Sequence, residues 1–232
     1  VARRPIIVFA ALGIGAYLLA MVVTMPASVL FRNAAWRSGV AGTIWRGEVG
    51  LAGGSRFEWR MAPLRSLLSL GFAADWKAVG PNTDLGGRML ARPGGRMVLD
   101  HVSGRADGAL LAARQPNLPF TCDLTMQVEM ERIVVGGGSG RVVEGKAMSD
   151  PGSCRAKTGG GAASAVPALI LTADHIGDKT TLRIAPATQR RRVLVDAVLE
   201  EDGTLDLGVT PEGAAALPFL GIPGGSRIKG AM

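Results

Sequence analysis

Histidine is almost missing from this chain, and most enzyme chemistry goes with it. Only His101 and His175 occur. His175 follows Asp174, yet no Gly-x-Ser-x-Gly elbow and no Cys/His pairing accompanies it. A lone histidine within a strand points to a structural or exposed side chain. The glycine run at 136–140 is not followed by Gly-Lys-Ser/Thr, which excludes a phosphate-binding loop. Cysteine is as scarce: Cys122 and Cys154 have no nearby histidine and supply too few ligands for a structural zinc. No catalytic residue, metal or cofactor is expected.

Aromatic residues are few, at 5%, whereas glycine is abundant at 33 residues. Glycine inside a helix costs about 1 kcal/mol relative to alanine, so the composition speaks against a helical bundle and for short strands and turns. With 47% hydrophobic residues and few uniformly polar segments, disorder is excluded as well. Acidic residues are outnumbered 19 to 26, a net charge of +7. A basic balance raises the question of nucleic acid, but many arginines stand singly at turns. They suit a solvated surface, anionic lipid or an acidic protein face.

Charge is absent altogether from one stretch. Ile6–Met25, bracketed by Pro5 and Pro26, is apolar on every side, and Arg3 and Arg4 precede it without an acid. About 20 apolar residues at ~1.5 Å each match the ~30 Å hydrocarbon core of a bilayer. The run is expected to be a transmembrane anchor, with residues 1–5 cytoplasmic and the remainder exported. A cleaved signal peptide has a shorter apolar core and a small-residue cleavage site, and Met25-Pro26-Ala27 matches that poorly. In an oxidising compartment the even pair Cys122 and Cys154 suggests one disulfide.

Residues 26–37 read as a membrane-proximal tether, with Ser28 as a possible cap of a short helical turn. A strand is expected over 38–49, with glycines near each end and apolar groups on both faces. A second follows at 56–61, where Phe57, Trp59 and Met61 alternate with charge, after a hairpin signal at Gly53-Gly54. Pro63–Leu70 is the one convincing helix of the exported part. Its leucines lie along one side, either plugging the open end of a sheet or touching the membrane surface.

Strand-like segments then recur at 72–79, 87–91, 96–102, 109–113, 122–135, 141–148, 168–175, 180–184, 192–200 and 204–209. The clearest is the long strand from Cys122, in which Leu124, Met126, Val128 and Met130 share an apolar face with Cys122. That face suits an ordinary core or the lining of a lipid groove. Residues 159–166 read as a Gly-rich joint between a β-sheet region, 38–158, and a β extension of the same sheet, 167–232. Arg190-Arg191-Arg192 and Glu200-Glu201-Asp202 read as solvated charge near turns. The fold class is mainly β: an N-terminal transmembrane helix, then a curved, mostly antiparallel sheet with one or two short helices. Antiparallel pairing follows from the short Gly-rich turns, because parallel strands need long crossovers.

The order of anchor, Gly-Val-Ala-Gly-Thr-Ile-Trp-Arg-Gly, aromatic strand and Pro-Leu-x-x-Leu-Leu resembles the N protein family of the type II secretion system. The family's Gly-Thr-Leu-Trp-Ser-Gly stretch corresponds to Gly42, Thr43, Ile44, Trp45 and Gly47. Arg46 stands where a small polar residue is usual. Its Trp-x-Leu-x-Pro-x-x-Leu-Leu stretch corresponds to Trp59, Met61, Pro63, Leu67 and Leu68. The ending at Leu205, Leu207, Thr210, Pro211 and Gly213 is similar to the family's last repeat. The resemblance implies an inner-membrane, periplasm-facing, non-catalytic component of the apparatus that exports folded proteins through an outer-membrane secretin. Its partners would be other subunits of that apparatus, at the inner-membrane platform or the secretin, and membrane lipid through residues 6–25. The family is also akin to bridge-like β proteins that cradle lipid, which keeps lipid or lipopolysaccharide handling open as a second class of function.

Overall fold

The structure is a computed structural model that describes residues 3–29, 37–51, 54–108, 118–138, 140–157 and 162–231. The strand expected at 109–113 lies outside those residues, as do most of the tether and the first part of the Gly-rich joint. Helix α1 covers Arg3–Val23 and is followed by a 3-10 turn at Ala27–Val29. Thirteen strands then form one sheet by meandering, each pairing antiparallel with its neighbours. They are β1 (Arg37–Gly42), β2 (Arg46–Leu51), β3 (Arg56–Met61), β4 (Phe72–Val79), β5 (Asp84–Ala91), β6 (Met97–Asp107), β8 (Thr125–Val135), β9 (Val142–Ser149), β12 (Leu169–Ile176), β13 (Lys179–Pro186), β14 (Val195–Glu200), β15 (Thr204–Val209) and β16 (Arg227–Ala231). A second sheet of order β11-β10-β7 is built from β7 (Phe120–Asp123), β10 (Gly152–Ala156) and β11 (Ser164–Val166). Helix α2 is Pro63–Ser69 and helix α3 is Pro211–Ala216.

The period-two pattern gives the large sheet two unlike faces. On one, Val49, Trp59, Trp76, Ala78, Val102, Met130 and Ala173 are buried in a single cluster that runs across the strands. On the other, charged residues stand opposite one another strand after strand. The row Arg46, Arg60, Asp75, Arg88, Asp100, Arg132, Glu144 takes one residue from each of seven consecutive strands, with mostly alternating sign. Opposite charges placed directly across from each other favour this register, and a one-residue slip would bury the row. Bulges interrupt the β5–β6 pairing between Gly86 and Arg88 and the β8–β9 pairing between Met130 and Arg132. His101 sits beside the first with φ +53. Bulges on successive strands bend the sheet across its middle.

The second cluster joins the small sheet to the C-terminal strands. Cys154 and Val166 pack with Leu194, Val195, Val209 and Leu217, and Phe120 meets Phe219 edge-on at 5.2 Å. Cys122 and Cys154 are directly paired across β7 and β10 and bonded to each other, with Cα atoms 4.1 Å apart.

Several expectations need correction. The strand read over 38–49 is a hairpin, β1 and β2, whose turn is Thr43-Ile44-Trp45-Arg46, closed by Thr43 N–H donating to the Arg46 carbonyl at 2.9 Å. The long strand from Cys122 is broken at Leu124, where the chain passes from the small sheet to the large one. Cys154, which falls beyond the strand expected at 141–148, lies in strand β10. Ser164–Val166, read as joint, is strand β11, and beyond the strand expected at 204–209 the chain adds α3 and β16.

Candidate contact surfaces

Most residues of the Gly-Thr-Ile-Trp stretch converge on one joint. The Ile44 N–H donates to the Met25 carbonyl at 3.0 Å, and the Trp45 indole N–H donates to the Val22 carbonyl at 2.9 Å. Pro26 and Thr43 form a β-bridge. The end of α1 and the residues just after it are thus stitched to the β1–β2 turn, and the Val22 carbonyl of the last turn finds a donor outside the helix. On the other side, the Trp59 indole N–H donates to the Ile44 carbonyl at 3.0 Å and the Met61 N–H to the Trp45 carbonyl at 2.7 Å. Glycine is required at two positions here. Gly42 has φ +89, and a Cβ on it would stand 2.5 Å from the Arg46 carbonyl oxygen. A Cβ on Gly47 would stand 2.6 Å from the Trp59 ring. Trp45 itself is only half-buried, so Trp59 and not Trp45 is the core indole of this joint.

Helix α2 begins two residues after Met61, and its amphipathicity is inverted. Ser66 is buried: its hydroxyl donates to the Ala62 carbonyl at 2.9 Å and accepts from the Ala73 N–H at 2.9 Å. Arg65 pairs with Asp75 of β4 at 2.6 Å. With the polar side fastened to the sheet, Leu64, Leu67, Leu68 and Leu70 are 72–84% exposed. The helix does not plug the sheet, as the sequence allowed. Burying a leucine is worth about 1.5–3 kcal/mol, which four leucines forgo in water. Leu70 also takes the left-handed conformation, φ +49, where glycine is the usual choice. For a leucine this costs on the order of 1 kcal/mol.

The charged face carries two adjoining concavities of about 1120 and 550 Å³ that share His101 and Ser103. The larger is lined by as many Lys and Arg as Asp and Glu side chains, including Glu48, Arg60, Asp75 and Arg88. In the smaller, Glu129 pairs with Lys146 at 2.9 Å, beside Glu131, Glu144 and Asp174. Among the described residues no group of three or more His, Cys, Asp or Glu is placed to hold a metal ion. His175 Nδ1 lies 3.1 Å from the Thr180 hydroxyl, a local bond across a hairpin. Two exposed groups at or beside hairpin turns depart from their usual range. The Lys179 ammonium is raised by its hydrogen bond to Glu200 and then by that carboxylate's charge. The Asp202 carboxyl is held low by the Thr204 N–H, then by its hydroxyl.

The apolar face read along 124–130 is divided. Leu124 joins the second cluster, Met126 is half-buried, Val128 packs against the first cluster, and Met130 is buried within it. The large sheet does not close: among the described residues β1 pairs only with β2, and β16 only with β15. The two edges differ. On β16, Arg227 and Lys229 pair with Asp196 and Asp206, charges that guard an edge against strand addition. After Arg37, β1 has only Ser38, Gly39, Val40, Ala41 and Gly42, without charge.

Helix α1 presents apolar side chains all round, exposed from Ile7 to Val23, the part of the helix whose side chains are described. Among the described residues no helix is long and apolar enough to cross a membrane. Comparison with protein-family models, with curated proteins and with solved structures finds no match to this chain.

Proposed function

We propose that this protein is a non-catalytic, membrane-anchored contact subunit, and that the apparatus it serves is the type II secretion system. The observation that carries the reading is the antiparallel sheet, open among the described residues, whose edge strand β1 carries no charge after Arg37 and lies immediately beside the end of α1. An unguarded edge is a template on which a partner's strand adds through main-chain hydrogen bonds. The uncharged run Ile6–Met25, two residues longer than the described helix at its C-terminal end, would hold that edge at the periplasmic side of the inner membrane. Arg3 and Arg4 favour a cytoplasmic N-terminus. The secretion setting rests on the resemblance carried by Gly42–Trp45, Gly47, Trp59, Pro63, Leu67 and Leu68. Leu124, Val128 and Met130, three of the four residues of the apolar row that a lipid groove would need, are packed into or against two cores, which favours contact over lipid carriage.

The test is deletion of the gene, with export of folded enzymes and outer-membrane integrity measured side by side. Lost export with an intact outer membrane is the expected result. Normal export with a leaky outer membrane would overturn the reading in favour of lipid or lipopolysaccharide handling.

A further inference from the structure

We infer that α2 is a second membrane contact: the leucine face of Leu64, Leu67, Leu68 and Leu70 enters the outer leaflet of the same phospholipid bilayer that α1 is proposed to cross. The inference rests on the anchor reading and adds to it a fixed orientation of the sheet. Three observations carry it.

The first is the inverted amphipathicity. Ser66 and Arg65 are spent on holding α2 to the sheet, so its apolar side is left uncovered by the described residues. The second is Leu70, a leucine kept in a left-handed position that favours glycine, whose side chain extends the exposed face by one residue. The third is position. From the carbonyls of Val22 and Met25 the route runs through Ile44 and Trp45 to Met61, each step a hydrogen bond, and α2 begins two residues later. The leucines therefore lie at the end of the sheet where α1 leaves it, at the level of a bilayer surface and not across the molecule from it. Trp45, half-buried with its indole N–H on a helix carbonyl, has the placement of a residue at the apolar–polar boundary. Arg92, exposed beside Gly71 at the end of α2, would face the phosphate layer. A soluble partner would need no such alignment with α1, and this decides for lipid as the occupant.

The test uses the full chain reconstituted in vesicles of phosphatidylethanolamine and phosphatidylglycerol. Its two cysteines are bonded to each other, so a single introduced cysteine takes a nitroxide label cleanly. Labels go at Leu67→Cys, with Leu68→Cys as a second variant should the first fail to fold. Leu12→Cys in α1 and Lys77→Cys on the charged face serve as references. Collision of the label with oxygen, which partitions into lipid, is compared with collision with a water-soluble nickel chelate. We expect the oxygen-to-nickel ratio at 67 and 68 to lie several-fold above that at 77 and near that at 12. Ratios matching position 77 would overturn the inference while leaving the anchor reading intact. Slow collision with both reagents would mean that protein covers the leucines, and would also overturn it. An aqueous ratio at position 12 would instead remove the anchor reading beneath it.

Discussion

Trp59→Ala should cost about 3–5 kcal/mol of folding stability, the range for truncating a fully packed aromatic. The ring is 4% exposed and stacks at 6.2 Å from Phe57, which in turn lies 5.6 Å from Trp76. Truncation removes that contact and also leaves the Ile44 carbonyl without the indole N–H it accepts from. Because Ile44 is the residue whose N–H holds Met25, the damage should pass from the core to the joint with α1. Denaturant unfolding of the full chain in detergent reads the loss. Trp45→Ala is the comparison. It removes one bond to α1 and a half-buried ring, so its loss should be clearly smaller. Equal losses for the two variants would show that the core has been assigned to the wrong indole.

A companion substitution separates packing from backbone approach. At Gly47 an added methyl meets the Trp59 ring at 2.6 Å and the Ala41 carbonyl oxygen at 2.7 Å. Gly47→Ala should therefore destabilise the wild type. In a Trp59→Ala background the ring clash disappears while the carbonyl clash stays, so the second loss should be smaller but not zero. Residues in contact show such coupling, whereas distant ones add. Additive losses would mean that the glycine is needed for reasons unconnected with the indole.

This joint also shows where sequence reading stops. Phe72–Val79 and Thr204–Val209 are legible to the residue, because alternation and flanking turn residues agree. The β1–β2 turn is hidden because its centre is Ile44-Trp45, neither of them a turn former. The Trp45 side chain is there for α1, a contact 23 residues away in the chain. The break at Leu124 is hidden differently: parity continues through it, so periodicity cannot register that the chain has changed sheets. The spacing of Leu64, Leu67 and Leu68 does foretell an amphipathic helix, but not which side faces the protein. That depends on Ser66 finding the Ala73 N–H, a partner seven residues on. The pairing of Cys122 with Cys154 follows from there being only two cysteines, while their direct opposition on β7 and β10 follows from a sheet that alternation does not reveal. The free edge at β1 is invisible too, since edges are a property of sheet order.

Loss of the Cys122–Cys154 bond should lower stability by about 3–4 kcal/mol, from closure of a loop of 32 residues in the unfolded chain. Two ways of removing the bond should differ. Reduction leaves both sulfurs in place, whereas the double variant Cys122→Ala, Cys154→Ala also deletes atoms from a site that is 1% exposed. Cys154 packs with Val166, Leu194, Val195, Val209 and Leu217, so its truncation adds a cavity term on top of the lost constraint. The alanine pair should accordingly be less stable than the reduced protein, by roughly 1 kcal/mol for one buried heavy atom. Denaturation midpoints with and without reductant, set beside those of the double variant, give both quantities. If all three midpoints coincide, the bond constrains nothing and the small sheet is held by its apolar contacts alone. If the reduced protein falls but the alanine pair falls no further, the cost is chain entropy and Cys154 contributes little as a packing group. The expected order has oxidised wild type highest, reduced wild type next and the alanine pair last, because β10 is both the strand the bond ties to β7 and the one that meets the second core.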